Sequence, residues 1–395
     1  MSLPHGLALV FPWSVWECWW LAPVALVLDL WLGDPALPWR HPVCLVGRLL
    51  DMLESPSRSF MLTAGAEHER SRGRLAGALA LLGLVACTGF AVWAAVSLPV
   101  VGLLAAVYLA WAGLAMGGLL QTGELVLERV ERAPETEARE ALSWLVSRDT
   151  SAMDRPLMRK TLADTLSENL TDAFTAPFFW LLVGGPVALW CYKAASTTDS
   201  MWGYKTEKWR WLGWAGARAD DGLAFVPARL AALSAALAHV LFLLRQRLEA
   251  ACRNGGRDGG RDGVAPWFMR WPMARVRARL SGCRAACCPG RWSGRWPGLS
   301  VVARQASGMP SPNSGWPMTA CAWLCGARMA GPSVYFGEMV DKPWLGPPAD
   351  EGHPGVSSAM WDAHRLLALC DLLRQSALYG GLVLWALALV CLLIF

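Results

Sequence analysis

Two adjacent uncharged windows, Leu75 to Val96 and Leu98 to Leu120, constrain this chain more than any other feature. As helices rising 1.5 Å per residue, each covers the roughly 30 Å hydrocarbon core of a bilayer. They meet at Ser97 and Pro99, so residues 75–120 are expected to form a transmembrane hairpin. The last stretch, Leu378 to Phe395, is also uncharged and reads as a C-terminal transmembrane helix. Only 17% of the 395 residues are charged, well below the roughly 25% of a soluble domain. The chain also holds 24 tryptophans, a side chain enriched at membrane–water boundaries.

The expected fold is therefore all-α: a polytopic integral membrane protein whose polar loops carry the motifs and form a site on the cytoplasmic side. Residues 1–395 are read as a single membrane-embedded domain. Arg70, Arg72 and Arg74 precede the hairpin and Glu128 to Arg132 follow it, placing both its ends in the cytoplasm of an inner-membrane protein. Leu223 to Leu244 is a further candidate span. Ala173 to Ala195 is broken by Pro177 and by Gly184-Gly185-Pro186. If that segment crossed fully, Ser196 to Gly222 would face outward, so a re-entrant or protein-buried course is expected. Residues 252–304 hold eleven arginines against Asp258 and Asp262 and read as a flexible cytoplasmic insertion. No nucleic-acid motif accompanies them. The N-terminus lacks a basic leader and a cleavage site, so no signal peptide is expected.

Three polar segments can carry chemistry. Over 157–172, Asp164, Glu168 and Asp172 recur every fourth residue, which on one helix places them on one face. That face is either solvated or balanced by magnesium or substrate. Asp199 to Glu207 and Arg218 to Asp221 mix acids, bases and hydroxyls, the combination that metal-bound phosphates need, although any interfacial loop carries such a mixture. Ser311 to Pro317 reads first as a turn opening a helix, and secondly as an anion site. There is no P-loop and no HExxH. Cys321 and Cys325, and separately Cys283, Cys287 and Cys288, lack the paired spacing of a zinc site.

Longer motifs follow one another along most of the chain: Asp29–Pro35 (DLWLGDP), Pro38–Val43 (PWRHPV), Gly47-Arg48, Leu145–Thr150 (LVSRDT), Ser167–Asp172 (SENLTD) and Tyr192-Lys193-Ala194. Asp199–Lys205 (DSMWGYK), Arg218–Asp221 (RADD), Pro227–Leu230 (PARL), Ser311–Pro317 (SPNSGWP) and Gly331-Pro332 complete the series. This order resembles the adenosylcobinamide-phosphate synthase family. The resemblance implies ATP-dependent amide ligation of aminopropanol, or its O-phosphate, to adenosylcobyric acid, with magnesium. It implies membrane lipid and other corrinoid-pathway membrane enzymes as partners. Carried onto this sequence, Glu168, Asp172, Asp199, Asp220 and Asp221 are the candidates for acid–base work, with Glu168, Asp172 and Asp221 as metal ligands. Arg148, Lys205, Arg218 and Arg229 would hold phosphate or carboxylate, and Asn169 and Asn313 would orient substrate. The sequence departs from the pattern at Met318 and Ala224, where Glu and Asn are expected. A small-solute transporter and a non-catalytic scaffold are the alternatives; the missing internal repeat and the large polar stretches speak against transport.

Overall fold

A computed structural model describes residues 19–35, 41–63, 68–146, 148–204, 206–254, 294–335, 338–348 and 360–394. Of the Arg-rich stretch, 255–293 lies outside these residues, as does Lys205. In chain order the helices are α1 (Leu21–Leu32), α2 (Pro42–Leu62), α3 (Glu69–Val96), α4 (Gly102–Gly113), α5 (Met116–Arg132), α6 (Glu135–Ser143) and α7 (Arg155–Leu170). A π-helical turn, Thr171–Thr175, leads into α8 (Ala176–Trp202), followed by α9 (Trp214–Leu223), α10 (Phe225–Asn254), α11 (Leu299–Ala306) and α12 (Gly315–Cys325). Short strands β1 (Met329–Ala330), β2 (Ser333–Tyr335), β3 (Glu338–Val340) and β4 (Trp344–Leu345) precede α13 (Ala363–Ile394). β1 pairs antiparallel with β4, and β2 with β3.

Among the described residues, five helical stretches are long and apolar enough to cross a membrane: Glu69–Val96, Gly102–Arg132, Arg155–Trp202, Phe225–Leu248 and Ala363–Leu392. Large apolar side chains stand exposed on them, Leu79, Leu82 and Phe90 on α3 and Leu387 and Val390 on α13, as lipid contact requires. The Arg155–Trp202 stretch differs, because 72% of its apolar window is buried, against 22–50% in the other four. Ala173 to Ala195 is therefore lined mainly by protein. The second leg of the hairpin is not one continuous helix; it breaks at Leu114–Ala115, between α4 and α5. There the Ala115 amide donates to the Ala173 carbonyl (2.9 Å), so a backbone group freed by the break is satisfied within the fold.

The chain divides into two compact units, one of 1–118, 170–230 and 381–395, the other of 119–169 and 231–380. In the first, α8 packs against α1, α2, α3, α4 and α9. Its core is aromatic: Phe174, Phe178, Trp190, Tyr192 and Trp202 are fully buried. Gly184 and Gly185 leave helical geometry (Gly185 φ 63°), which permits the predicted break ahead of Pro186. In the second unit, α12 packs on α11, β1 and β4.

Candidate functional site

The first unit gathers an acidic cluster around one lysine. Asp172 sits on the π turn, a local widening of the helix that recurs at functional sites. Its Oδ1 accepts from the Tyr192 hydroxyl (3.1 Å), and its carbonyl accepts from Lys193 Nζ (3.3 Å). The carboxylates of Asp172, Asp34, Asp29 and Asp220 act on the Lys193 ammonium. A lysine in an apolar helix is costly unless it is paired in this way.

Asp29 has a structural task as well. Its carboxylate accepts from the Met116 and Gly117 amides (3.2 Å each), capping the N-terminus of α5. Asp34 lies against Gly118 in the same turn and faces His41 and Lys193. Burial holds the His41 imidazole below its ordinary range, so it is neutral at pH 7.

Helix α9 brings Asp220 and Asp221. A Cβ at Gly216 would fall 2.7 Å from Thr198 Cγ2 and 3.2 Å from the Asp199 amide, so glycine there allows α9 to press onto α8. Asp220, one turn further, hydrogen-bonds Ser196, and its Oδ1 is buried without a partner. Burial, followed by the charges of Asp172, Asp199 and Asp221, pushes its carboxyl up to about 8. An orphaned oxygen among like charges fits a cationic ligand, either an ammonium or a metal ion. Among the described residues no three His, Cys, Asp or Glu side chains converge closely enough to hold a metal by themselves. Magnesium, however, usually takes one or two carboxylates and completes its shell with water and phosphate oxygens. The residues present fit an ion of that kind.

Arg218 and Arg229 stand differently. Arg218 pairs with Asp221 at 3.9 Å while largely exposed. Arg229 donates to the Phe225 carbonyl (2.6 Å) and lies over the Phe225 ring, within its own helix turn. The stretch after α8 is pinned to the basic end of α3: Arg70 and Arg74 lie 5.4 and 5.6 Å from the Trp211 ring, and Arg58 lies 5.2 Å from Trp209. Residues 206–213 thus share an end with Arg70 and Arg74.

The other predicted residues belong to the second unit. Asp164 is fully buried and receives Arg148 Nη1 (2.9 Å), Lys160 Nζ (3.2 Å) and the Ala330 amide (2.9 Å). It orients two cations, whereas Glu168, four residues on, is exposed. The shared acidic face expected from their spacing is split by burial. Asn169 donates to the Thr165 carbonyl (2.9 Å). Asn313 is buried in the turn that opens α12, its amide donating to Ser311 Oγ (3.2 Å) and its carbonyl accepting from Trp316, the turn-and-helix-start reading. Cys321 and Cys325 are buried, and burial drives the Cys321 thiol up to about 12, so they act as small apolar side chains. Met318 is likewise buried, as is Ala224 in the first unit.

Sequence reasoning gave no role to Tyr192, Lys193, Asp34 or His41. The available signal was a lysine inside the apolar run of α8, and it lay within a motif already singled out.

Comparison with known proteins covers most of the chain. The family model described as CobD/Cbib protein matches residues 22–262 and 268–365. A cobalamin biosynthesis protein CobD of Pelobacter propionicus is 34% identical over 363 residues, covering 90% of this chain and 95% of its own. One from Klebsiella pneumoniae is 31% identical, covering 82% and 85%. A cobalamin biosynthesis protein CbiB of Salmonella arizonae is 30% identical, covering 93% and 94%. No solved structure matches the chain.

Proposed function

Since the chain belongs to the CobD/Cbib protein family, we propose that it serves cobalamin biosynthesis as an ATP-dependent amide ligase joining aminopropanol, or its O-phosphate, to the propionate of adenosylcobyric acid. The observation that carries this reading is Asp220: a buried, partly unpartnered carboxyl, with its acidity shifted to about 8, among three further carboxylates and near Lys193. An amine is delivered in water as an ammonium and must lose a proton before its lone pair can attack. A carboxyl poised near neutrality is matched to that transfer.

A carboxylate is a poor acyl donor. Transfer of the terminal phosphoryl group of ATP to the propionate oxygen forms an acyl phosphate and releases ADP. The amine nitrogen then attacks the acyl carbon, the bond to the phosphate oxygen breaks, and inorganic phosphate leaves with the electron pair. Asp220 takes the N–H proton. Tyr192 holds Asp172 in place, and Lys193 offsets the crowded negative charge so that the site stays folded without substrate. Asp172 and Asp221 would hold magnesium, whose charge neutralises phosphate oxygens when bound.

The contact of the 206–213 stretch with Arg58, Arg70 and Arg74 supports a cytoplasmic site, where ATP is available, because basic juxtamembrane segments favour that side. ADP release by the purified protein should require the corrinoid acid and should reach steady state only with the amine present. Release of ADP at the same rate without corrinoid would contradict the ligase reading.

A further inference from the structure

We infer that the second unit carries an anion subsite for a phosphate group, built by Lys160 and Arg328 around the indole of Trp344. The inference goes beyond the ligase reading and does not depend on it. Lys160 Nζ lies 5.2 Å and the Arg328 guanidinium 4.7 Å from the centre of this one ring. Both cations are thus brought to a common wall that is itself 44% exposed.

The wall is fixed from behind. Trp344 pairs with Ala330 between β4 and β1, and a Cβ at Gly331 (φ +74°) would fall 2.6 Å from the indole, so glycine backbone lies against the ring. Ala330 also has positive φ (58°), a conformation that costs a non-glycine residue free energy. Its amide is held by the same Asp164 carboxylate that holds Lys160 and Arg148. Asp164 therefore sets both the strained turn and the first cation.

Charge then selects the ligand. The principal charges acting on the Lys160 ammonium are Asp164 on one side and Arg148 and Lys342 on the other. Arg328 adds a further positive charge at the indole, so the cluster attracts a multiply charged anion. A phosphate presents several oxygens, to the guanidinium fork and to the ammonium together, in charge-assisted hydrogen bonds. The phosphate can belong to a soluble phosphorylated ligand or to a lipid headgroup.

The test is binding of inorganic phosphate to the full-length protein in phospholipid-free micelles, followed by phosphorus NMR line broadening, with and without added phosphatidylglycerol or phosphatidylcholine. Arg328→Gln should weaken phosphate binding about tenfold or more, and exposed Arg304→Gln should leave it unchanged. Lys160→Gln, whose amide can still donate to Asp164, is the second variant should Arg328→Gln not fold. Saturable phosphate binding that phosphatidylglycerol does not displace assigns a soluble ligand. Displacement by phosphatidylglycerol but not phosphatidylcholine, lost in the variants, assigns a headgroup. Wild-type binding by a folded variant, or no saturable binding of phosphate or phosphatidylglycerol by the wild type, overturns the inference.

Discussion

Replacing Asp164 by Ala should destabilise the protein by about 4 kcal/mol. The Asp164 side chain is fully buried, and those of Arg148 and Lys160 are 7% and 12% exposed, so the attraction between them is little screened by water. Removing one partner from a buried ion pair costs about 3–5 kcal/mol, because the remaining charge stays desolvated. The Ala330 amide also loses its acceptor, a loss of about 1–3 kcal/mol when the group is buried. These costs share one carboxylate and do not simply add, which sets the total near the middle of the first range. Asp164→Asn keeps an oxygen for the Ala330 amide while removing the charge, so its loss should be smaller, about 2–3 kcal/mol. Equilibrium unfolding in mixed micelles, followed by circular dichroism across an added sulfate detergent, measures both. A loss below about 1 kcal/mol for Asp164→Ala is what a solvated surface pair gives, and it would refute the account of Asp164 as the buried organiser of two cations and a strained turn.

Other substitutions separate site from surface. Asp220→Asn should lower turnover about 10²–10⁴-fold, the range for loss of a general acid or base. In the wild type the carboxyl holds its proton below about 8, so the basic form and the rate should rise as pH climbs toward that value. The variant should lose this limb of the pH–rate profile, and a profile unchanged by the substitution would remove Asp220 from the chemistry. Arg218→Ala breaks a 3.9 Å pair at a largely exposed arginine and should shift stability by no more than about 0.5 kcal/mol in the same unfolding assay. Thr206→Cys, in a background lacking the other cysteines, should be modified by an impermeant maleimide only in inverted vesicles; labelling in intact cells would place the stretch on the opposite face.

What the sequence made legible follows from which forces act locally. The span Leu75 to Val96 is uncharged along its length, and length and solvation alone decide such a segment, as α3 and its exposed leucines bear out. The break at Gly184-Gly185-Pro186 was equally local. The four-residue spacing of Asp164 and Glu168 was also real, but spacing cannot say which residue a neighbouring turn will cover. Ala330 comes from far along the chain to bury Asp164, and nothing covers Glu168 to the same degree. Lys193 went unassigned because its counter-charges, Asp29, Asp34, Asp172 and Asp220, come from separate segments that only packing assembles. The break at Leu114 was hidden for a similar reason, since the backbone donor it frees is satisfied by the distant Ala173 carbonyl. Strands as short as β1 and β4 leave too few residues for any alternation to register.

Amide-bond formation at the expense of ATP is the proposed role of this acidic site. Its most direct measurement is mass spectrometry of the corrinoid after incubating the detergent-purified protein with adenosylcobyric acid, ATP, magnesium and, separately, aminopropanol and aminopropanol O-phosphate. The expected product is an adduct heavier by the amine less one water, formed only with ATP and lost in Asp220→Asn. An unmodified corrinoid from folded, corrinoid-binding protein, or an adduct formed equally well without ATP, would contradict it.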